Sequence, residues 1–350
     1  MNYRMKAWLN GRPIGRNRGA YLPFELRLPR GLIRRGRVNR LVVRVDSRRF
    51  PTDFPPAGLS TTGVPTGGWW NYGGILREVY LQRIDTMQLQ SALVNPRLPC
   101  ATCDATVVME TRLRNVAGRA RRATVTGTFG DRAVKLGTRM IRGGRTASFR
   151  GSFTLADPHL WSPRDPFLSP AAIEVRVGSR LVGRWTASSG VRSVKVSGGR
   201  LLLNDRAVSL RGVGVHEDNQ AQGFAVDNTW RRWLVDRAKE LGASMLRTHY
   251  PMHPYIHELA DKLGLLIWSE IPVYAVKTKF LKRLEVRKLA ARELEANILA
   301  NQNHPSIMLW SIGNEMSSQP RPLQSDYIER AARQANALDP ARPIALAVAG

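Results

Sequence analysis

Near the end of the chain, "LWSIGNEMSS" (309–318) runs from the strand-like residues Leu309, Trp310 and Ile312 into Gly313, Asn314 and Glu315. A carboxylate beside an amide at the mouth of a strand serves no packing purpose. It can give a proton to a bound substrate and take one back, so Glu315 is the first candidate for catalysis. Similar polar residues end three earlier apolar runs: His216 and Glu217 after "VSLRGVGV", Arg247 and His249 in "SMLRTHY", and Glu270 in "LLIWSEIP". Each has a plainer reading. His249 and His253 could be loop histidines satisfied by neighbours, Arg247 a salt-bridge residue and Glu270 a structural carboxylate. Cys100 and Cys103, in "PCATCDA", lack the second ligand pair a zinc site needs and precede a strand rather than a helix. Incidental or locally paired thiols are expected there.

The elements that must carry these side chains fall into two textures. Residues 1–85 read as all-β: "LVVRV" (41–45) and "REVYLQRI" (77–84) are strand-like, and "NG" at 10–11 is a hairpin turn signal. Residues 86–195 continue with short strands at 106–115, 123–130 and 171–178, the spacing of a β-sandwich. From 196 the period changes. "DNTWRRWLVDRAKELG" (227–242) is an amphipathic helix with Asp227 or Asn228 to cap it and Gly242 to end it. Further helices at 255–264, 284–302 and 326–339 alternate with strands at 208–216, 244–250, 265–272, 306–315 and 343–350. Such alternation builds a parallel sheet with helices outside. Five strands fit an open sheet as well as part of a barrel, but polar residues at four successive strand ends favour a (β/α)8 barrel, whose active site lies on that face.

The chain has 350 residues, is 43% hydrophobic and carries a formal net charge of +27, with 45 Arg against 9 Lys. That size predicts two or three domains. The charge raises the question of a polyanion partner. Its distribution argues against one: residues 196–350 hold 20 basic and 16 acidic side chains, so the first 195 hold 34 and 11. The arginines there are scattered along alternating strands rather than gathered on one helix, and no nucleic-acid-binding signature is present. No apolar run approaches the roughly 20 residues of a membrane helix, and "MNYRMKAWLNGRPIG" has no apolar signal core.

In order and spacing, "RGVGVHED" (211–218), "LRTHYPMHP" (246–254), "IWSEIP" (267–272) and "NHPSIMLWSIGNE" (303–315) resemble the blocks of family 2 glycoside hydrolases, the group of β-galactosidases, β-glucuronidases and β-mannosidases. Upstream, "GGWWNYGGILREVYL" (67–81) and "GAYLPFELRL" (19–28) are similar to its N-terminal jelly-roll. The resemblance covers nearly the whole chain. It implies a multidomain β plus α/β protein: a partial jelly-roll sugar-binding-like domain at 1–85, an immunoglobulin-like β-sandwich at 86–195, and the first half of a (β/α)8 TIM barrel at 196–350.

The resemblance implies a retaining exo-β-glycosidase of β-galactoside or β-glucuronide type, with Glu315 as general acid/base. Asn314 would bind the sugar 2-hydroxyl, and Arg247 would keep the nucleophile ionised. His216 and His249 would line the pocket, Asp218 of the "HED" variant would touch sugar hydroxyls, and Glu270 would be a pocket or supporting carboxylate. No cofactor is implied. "SEIPVYA" lacks the acid-x-histidine pair of the galactosidase metal site, so no bound magnesium is expected. Carbohydrate is the expected partner, with no nucleic acid and no membrane, and the full-length form is open to homo-oligomerisation. The resemblance further implies truncation at both ends, which leaves localisation open between cytoplasmic and secreted. The nucleophile would lie on a later strand beyond residue 350. This length alone would then be inactive and poorly soluble, with Leu309 and Ile344 uncovered. Trp69 and Trp70 are expected in packing, with sugar stacking as the alternative. Two rival functions remain open on the residues: a non-catalytic carbohydrate-binding protein and a basic surface-interaction module.

Overall fold

The computed structural model describes residues 1–59, 65–66, 72–274 and 276–349. Trp69 and Trp70 lie outside the described residues. In the first unit, strands Arg12–Arg18, Arg4–Leu9 and Leu41–Asp46 form an antiparallel sheet in that order. The Asn-Gly turn at 10–11 closes its hairpin, with both residues at positive φ (51° and 82°), as a two-residue turn demands. The strand expected at 77–84 does not form. No described strand runs beside it, and Val79, Tyr80 and Leu81 stay exposed. An extended segment without a ladder partner is not a strand, whatever its alternation.

Residues 87–189 form two antiparallel sheets. One orders strands Thr146–Leu155, Ala105–Asn115 and Met87–Arg97; the other orders Arg180–Ser189, Ser169–Val177, Arg121–Phe129 and Arg132–Ile141. Their inner faces share one core of alternating residues, among them Val107, Met109, Leu113, Val125, Ile173 and Val175. Cys100 and Cys103 are joined in a disulfide just before the strand Ala105–Asn115. This is the local pairing named as one expectation.

Beyond a small meander (Val194–Ser197, Arg200–Leu203, Arg206–Ala207), five parallel strands pair in chain order: Gly212–Val215, Met245–Thr248, Leu266–Glu270, Ile307–Ser311 and Ile344–Ala345. The intervening helices are α1 (Asn228–Glu240), α2 (Pro254–Leu263), α3 (Thr278–Leu281), α4 (Leu284–Asn301) and α5 (Pro322–Leu338). Asp227 caps α1 by accepting from the Trp230 amide, and Gly264 ends α2 in the left-handed conformation. Leu309, expected to be uncovered, is 6% exposed. Trp161, Val194 and Leu203 close over that end of the sheet and pack with Leu309, Met245 and Met308. Ile344 is half-buried. At the other end the first unit shares the core of the parallel sheet: Tyr21 stacks on Tyr250 at 3.9 Å between ring centroids.

Candidate active site

The C-terminal ends of the second, third and fourth parallel strands converge on one fully buried carboxylate, Glu270. Register sets the cluster: Arg247 lies opposite Trp268 and Glu270 opposite Ser311. Glu270 Oε2 accepts from Ser311 Oγ at 2.8 Å, Arg247 Nη2 at 3.2 Å and Trp268 Nε1 at 3.3 Å, while Oε1 meets His249 Nδ1 at 3.3 Å. With both oxygens occupied and no exposure, Glu270 fixes the rotamers of its neighbours. Buried charge of this kind is tolerable only when paired and hydrogen-bonded. His249 in turn stacks on His216 at 5.2 Å. Burial, and secondarily the neighbouring His249, push the His216 pKa down to about 4. The ring is therefore neutral at neutral pH, with one donor and one acceptor.

Arg247 links this hub to the carboxylate at the strand mouth. Its Nη2 also donates to Asn314 Oδ1. Asn314 is buried, and its backbone amide donates to Val273 O at 2.9 Å. Nδ2 of Asn314 donates to no partner among the described residues, which leaves it for a ligand. Next to it Glu315 is exposed and has φ +52°. Left-handed backbone is uncommon for a side chain of this kind and clusters at functional sites. The turn is held on both sides: Ile312 and Met316 amides donate to Ala345 O and Ala347 O, and Met316–Ser317 pairs in parallel with Val348–Ala349. Tyr274, from the loop after the third strand, bridges to Asn314 through its backbone and lies close enough to Glu315 to feel its charge. Burial, and then Glu315, raise the Tyr274 pKa.

Not every expected residue joins the cluster. Asp218 is half-buried just past the first parallel strand. Burial raises its pKa, and no contact ties it to Arg247, Glu270 or Asn314 among the described residues. His253 caps α2 and pairs through Nε2 with Glu78 at 2.9 Å, the plainer of its two readings. Glu217 is buried between Arg77 Nη2 (2.8 Å) and Arg231 Nε (2.7 Å) and tethers the first unit to the parallel sheet. Among the described residues no group of three or more His, Cys, Asp or Glu is placed to hold a metal ion. Trp268, Ser311 and Tyr274 were not singled out from sequence. Trp268 and Glu270 share one strand face at i, i+2, a signal that could have found the first. Nothing local marks Tyr274, because its partner lies on another strand's loop.

Residues 194–349 match the family described as "Glycosyl hydrolases family 2, TIM barrel domain". Over that segment the chain is similar to glycosyl hydrolase family 2. The family 2 likeness extends along the chain. A β-glucuronidase of Paenibacillus borealis is 27% identical over 97% of this chain and 58% of its own length. A β-galactosidase of Alteromonas mediterranea is 27% identical over 98% of this chain and 32% of its own. Among solved structures, a family 2 β-galacturonidase from Eisenbergiella tayi, bound to galacturonate, superposes with a TM-score of 0.88 at 25% identity. The superposition covers 99% of this chain and 60% of that one. The chain therefore spans less than two thirds of the length of each of these relatives.

Proposed function

We propose that the whole protein is a retaining exo-β-glycosidase acting on terminal β-linked sugars of galactoside or glucuronide type, with Glu315 as general acid/base. The observation that carries this reading is the Asn314–Glu315 pair at the end of the fourth parallel strand, with Asn314 Oδ1 held by Arg247 and Glu315 in a left-handed turn. Glu315 would protonate the glycosidic oxygen as the bond breaks, then deprotonate the water that releases the sugar. A second carboxylate about 5–5.5 Å away would attack the anomeric carbon. The resemblance assigns it to a glutamate on a later strand of the whole protein. The buried Nε of Arg247, which has no partner among the described residues, supports the arrival of an acceptor there. Nδ2 of Asn314, without a partner among the described residues, suits the sugar 2-hydroxyl, and His216 and His249 suit the pocket wall. Glu270 acts through its neighbours. The substrate class rests on the names of the relatives. The same reading gives the three-part architecture of partial jelly-roll, immunoglobulin-like sandwich and first half of a TIM barrel.

The test is Glu315→Gln in the whole protein. The variant should lose about 10²–10⁴-fold in kcat/KM on glycosides with poor leaving groups, and far less on an activated aryl glycoside, whose leaving group needs little protonation. Equal losses on both, with glycosylation limiting in each case, would remove the acid role. NMR of the first-formed product should show the β anomer; an inverted anomer would exclude the retaining mechanism.

A further inference from the structure

At the opposite end of the parallel sheet from Glu315, a cavity of about 300 Å³ lies where the two-sheet unit meets the loops that enter the fourth and fifth parallel strands. Four basic residues line it, Arg97, Arg192, Lys195 and Arg342, and no aspartate or glutamate does. Two of the four are deeply buried: Arg192 is 8% and Arg342 9% exposed. Arg342 has a counter-charge in Asp339. Arg192 has no close ion pair among the described residues; Asp339 and Asp261 act on it only from longer range. Its guanidinium donates to the carbonyls of Pro305 and Ile307, which satisfy hydrogen bonds but carry no charge. Burial, and then Arg342, lower the Arg192 pKa to about 9. Ser193, also lining the cavity and 5% exposed, has a buried hydroxyl with no partner among the described residues. A buried cation without a close ion pair and a buried hydroxyl without a partner are each costly. Both residues line one cavity.

We propose that this cavity is a binding site for a tetrahedral oxyanion, a phosphate or the phosphate group of a small metabolite. A dianion matches a wall with four basic side chains and no acidic one; Lys195 pairs with Asp205 at 2.8 Å and Arg342 with Asp339, and a dianion would compete for both. Its oxygens can accept from the guanidinium groups, the Lys195 ammonium and the Ser193 hydroxyl. The volume leaves room for a group attached to the phosphorus. Arg97, Arg192, Ser193 and Lys195 precede the first parallel strand, whereas Arg342 leads into the fifth, so a bound anion bridges the two units. The site is distinct from the strand mouths and does not depend on the glycosidase reading.

The experiment is isothermal titration of the whole protein with inorganic phosphate, at ionic strength held constant with chloride, alongside melting curves in the same buffers. Wild type should bind saturably in the millimolar range or tighter, with a rise in melting temperature. Ser193→Ala, which removes one donor and no charge, and Lys195→Met, at a partly exposed position, should each weaken binding about 5–10-fold. Arg132→Met, an exposed arginine on the outer sheet, should leave it unchanged. No saturable binding at 20 mM phosphate would overturn the proposal. So would equal weakening in Arg132→Met, which would reduce the effect to screening of the net charge of +27. A second arm replaces phosphate with a sugar monophosphate: tighter binding assigns the natural ligand to a phosphorylated sugar, and equal or weaker binding to free phosphate.

Discussion

At the residue scale, the feature that distinguishes this site is the phenol of Tyr274 beside Glu315, whose charge, after burial, raises the Tyr274 pKa. A phenol that donates to the carboxylate in the substrate complex steers which oxygen lone pair faces the substrate. One hydrogen bond to a charged group contributes about 1–3 kcal/mol. Tyr274→Phe in the whole protein should therefore lower kcat/KM on unactivated glycosides about 5–50-fold, with little effect on activated aryl glycosides and an unchanged melting temperature. Steady-state kinetics on the two substrate types decides it, and equal kcat/KM values in variant and wild type would remove Tyr274 from the reaction. Glu270 is the contrasting case. It is saturated by Ser311, Arg247, Trp268 and His249, so its substitution should disturb Arg247 and Asn314 together.

At the element scale, helix ends set how the units dock. Gly264 ends α2 at φ +68°, and a Cβ there would lie 2.2 Å from the carbonyl oxygen of Pro163, in the segment that follows the two-sheet unit's first five strands. Gly242, two residues beyond α1, has φ +74° with nothing within 4 Å of a Cβ. Gly242→Ala should cost about 1 kcal/mol, the strain of left-handed backbone alone. Gly264→Ala adds a backbone collision that no rotamer can relieve and should cost about 3–5 kcal/mol. Urea unfolding midpoints of the two variants measure the difference. Equal midpoints would mean that α2 does not press on Pro163 in solution.

At the scale of the whole molecule, α4 and the first unit enclose Glu293, whose Oε2 has no partner among the described residues. Burial raises its pKa from 4.5 to about 8, against the pull of Arg292, Arg49 and Arg18. Between those values the unfolded chain has released a proton that the folded chain keeps, so stability falls as pH rises from about 4.5 to 8. Glu293→Gln removes that slope. The melting temperature of the variant should exceed that of wild type at pH 8 by several degrees, and the gap should close towards pH 5. His257 works in the other direction: burial lowers its pKa from 6.5 to about 3, so its share of stability is lost as pH falls through that window. Melting curves at pH 5, 6.5 and 8 test the prediction, and parallel curves for wild type and Glu293→Gln would refute it.

The alternation of strands and helices beyond residue 196, the capping of α1 by Asp227 and the polar ends of the strands could all be read in advance. Each depends on periodicity or chemistry within a few residues, where chain geometry leaves little choice. The Asn-Gly turn at 10–11 belongs to the same class. The strand expected at 77–84 failed because alternation reports an extended, two-faced segment and cannot supply a neighbour to pair with. Leu309 was misjudged for a related reason: its cover, Trp161, lies far back in the chain. The contacts of the site were beyond local reading. Arg77 meets Glu217 across 140 positions, and Arg247 meets Asn314 across 67. Which donor reaches which oxygen depends on strand register and on how three units dock, and a one-residue slip would turn each of these side chains to the opposite face.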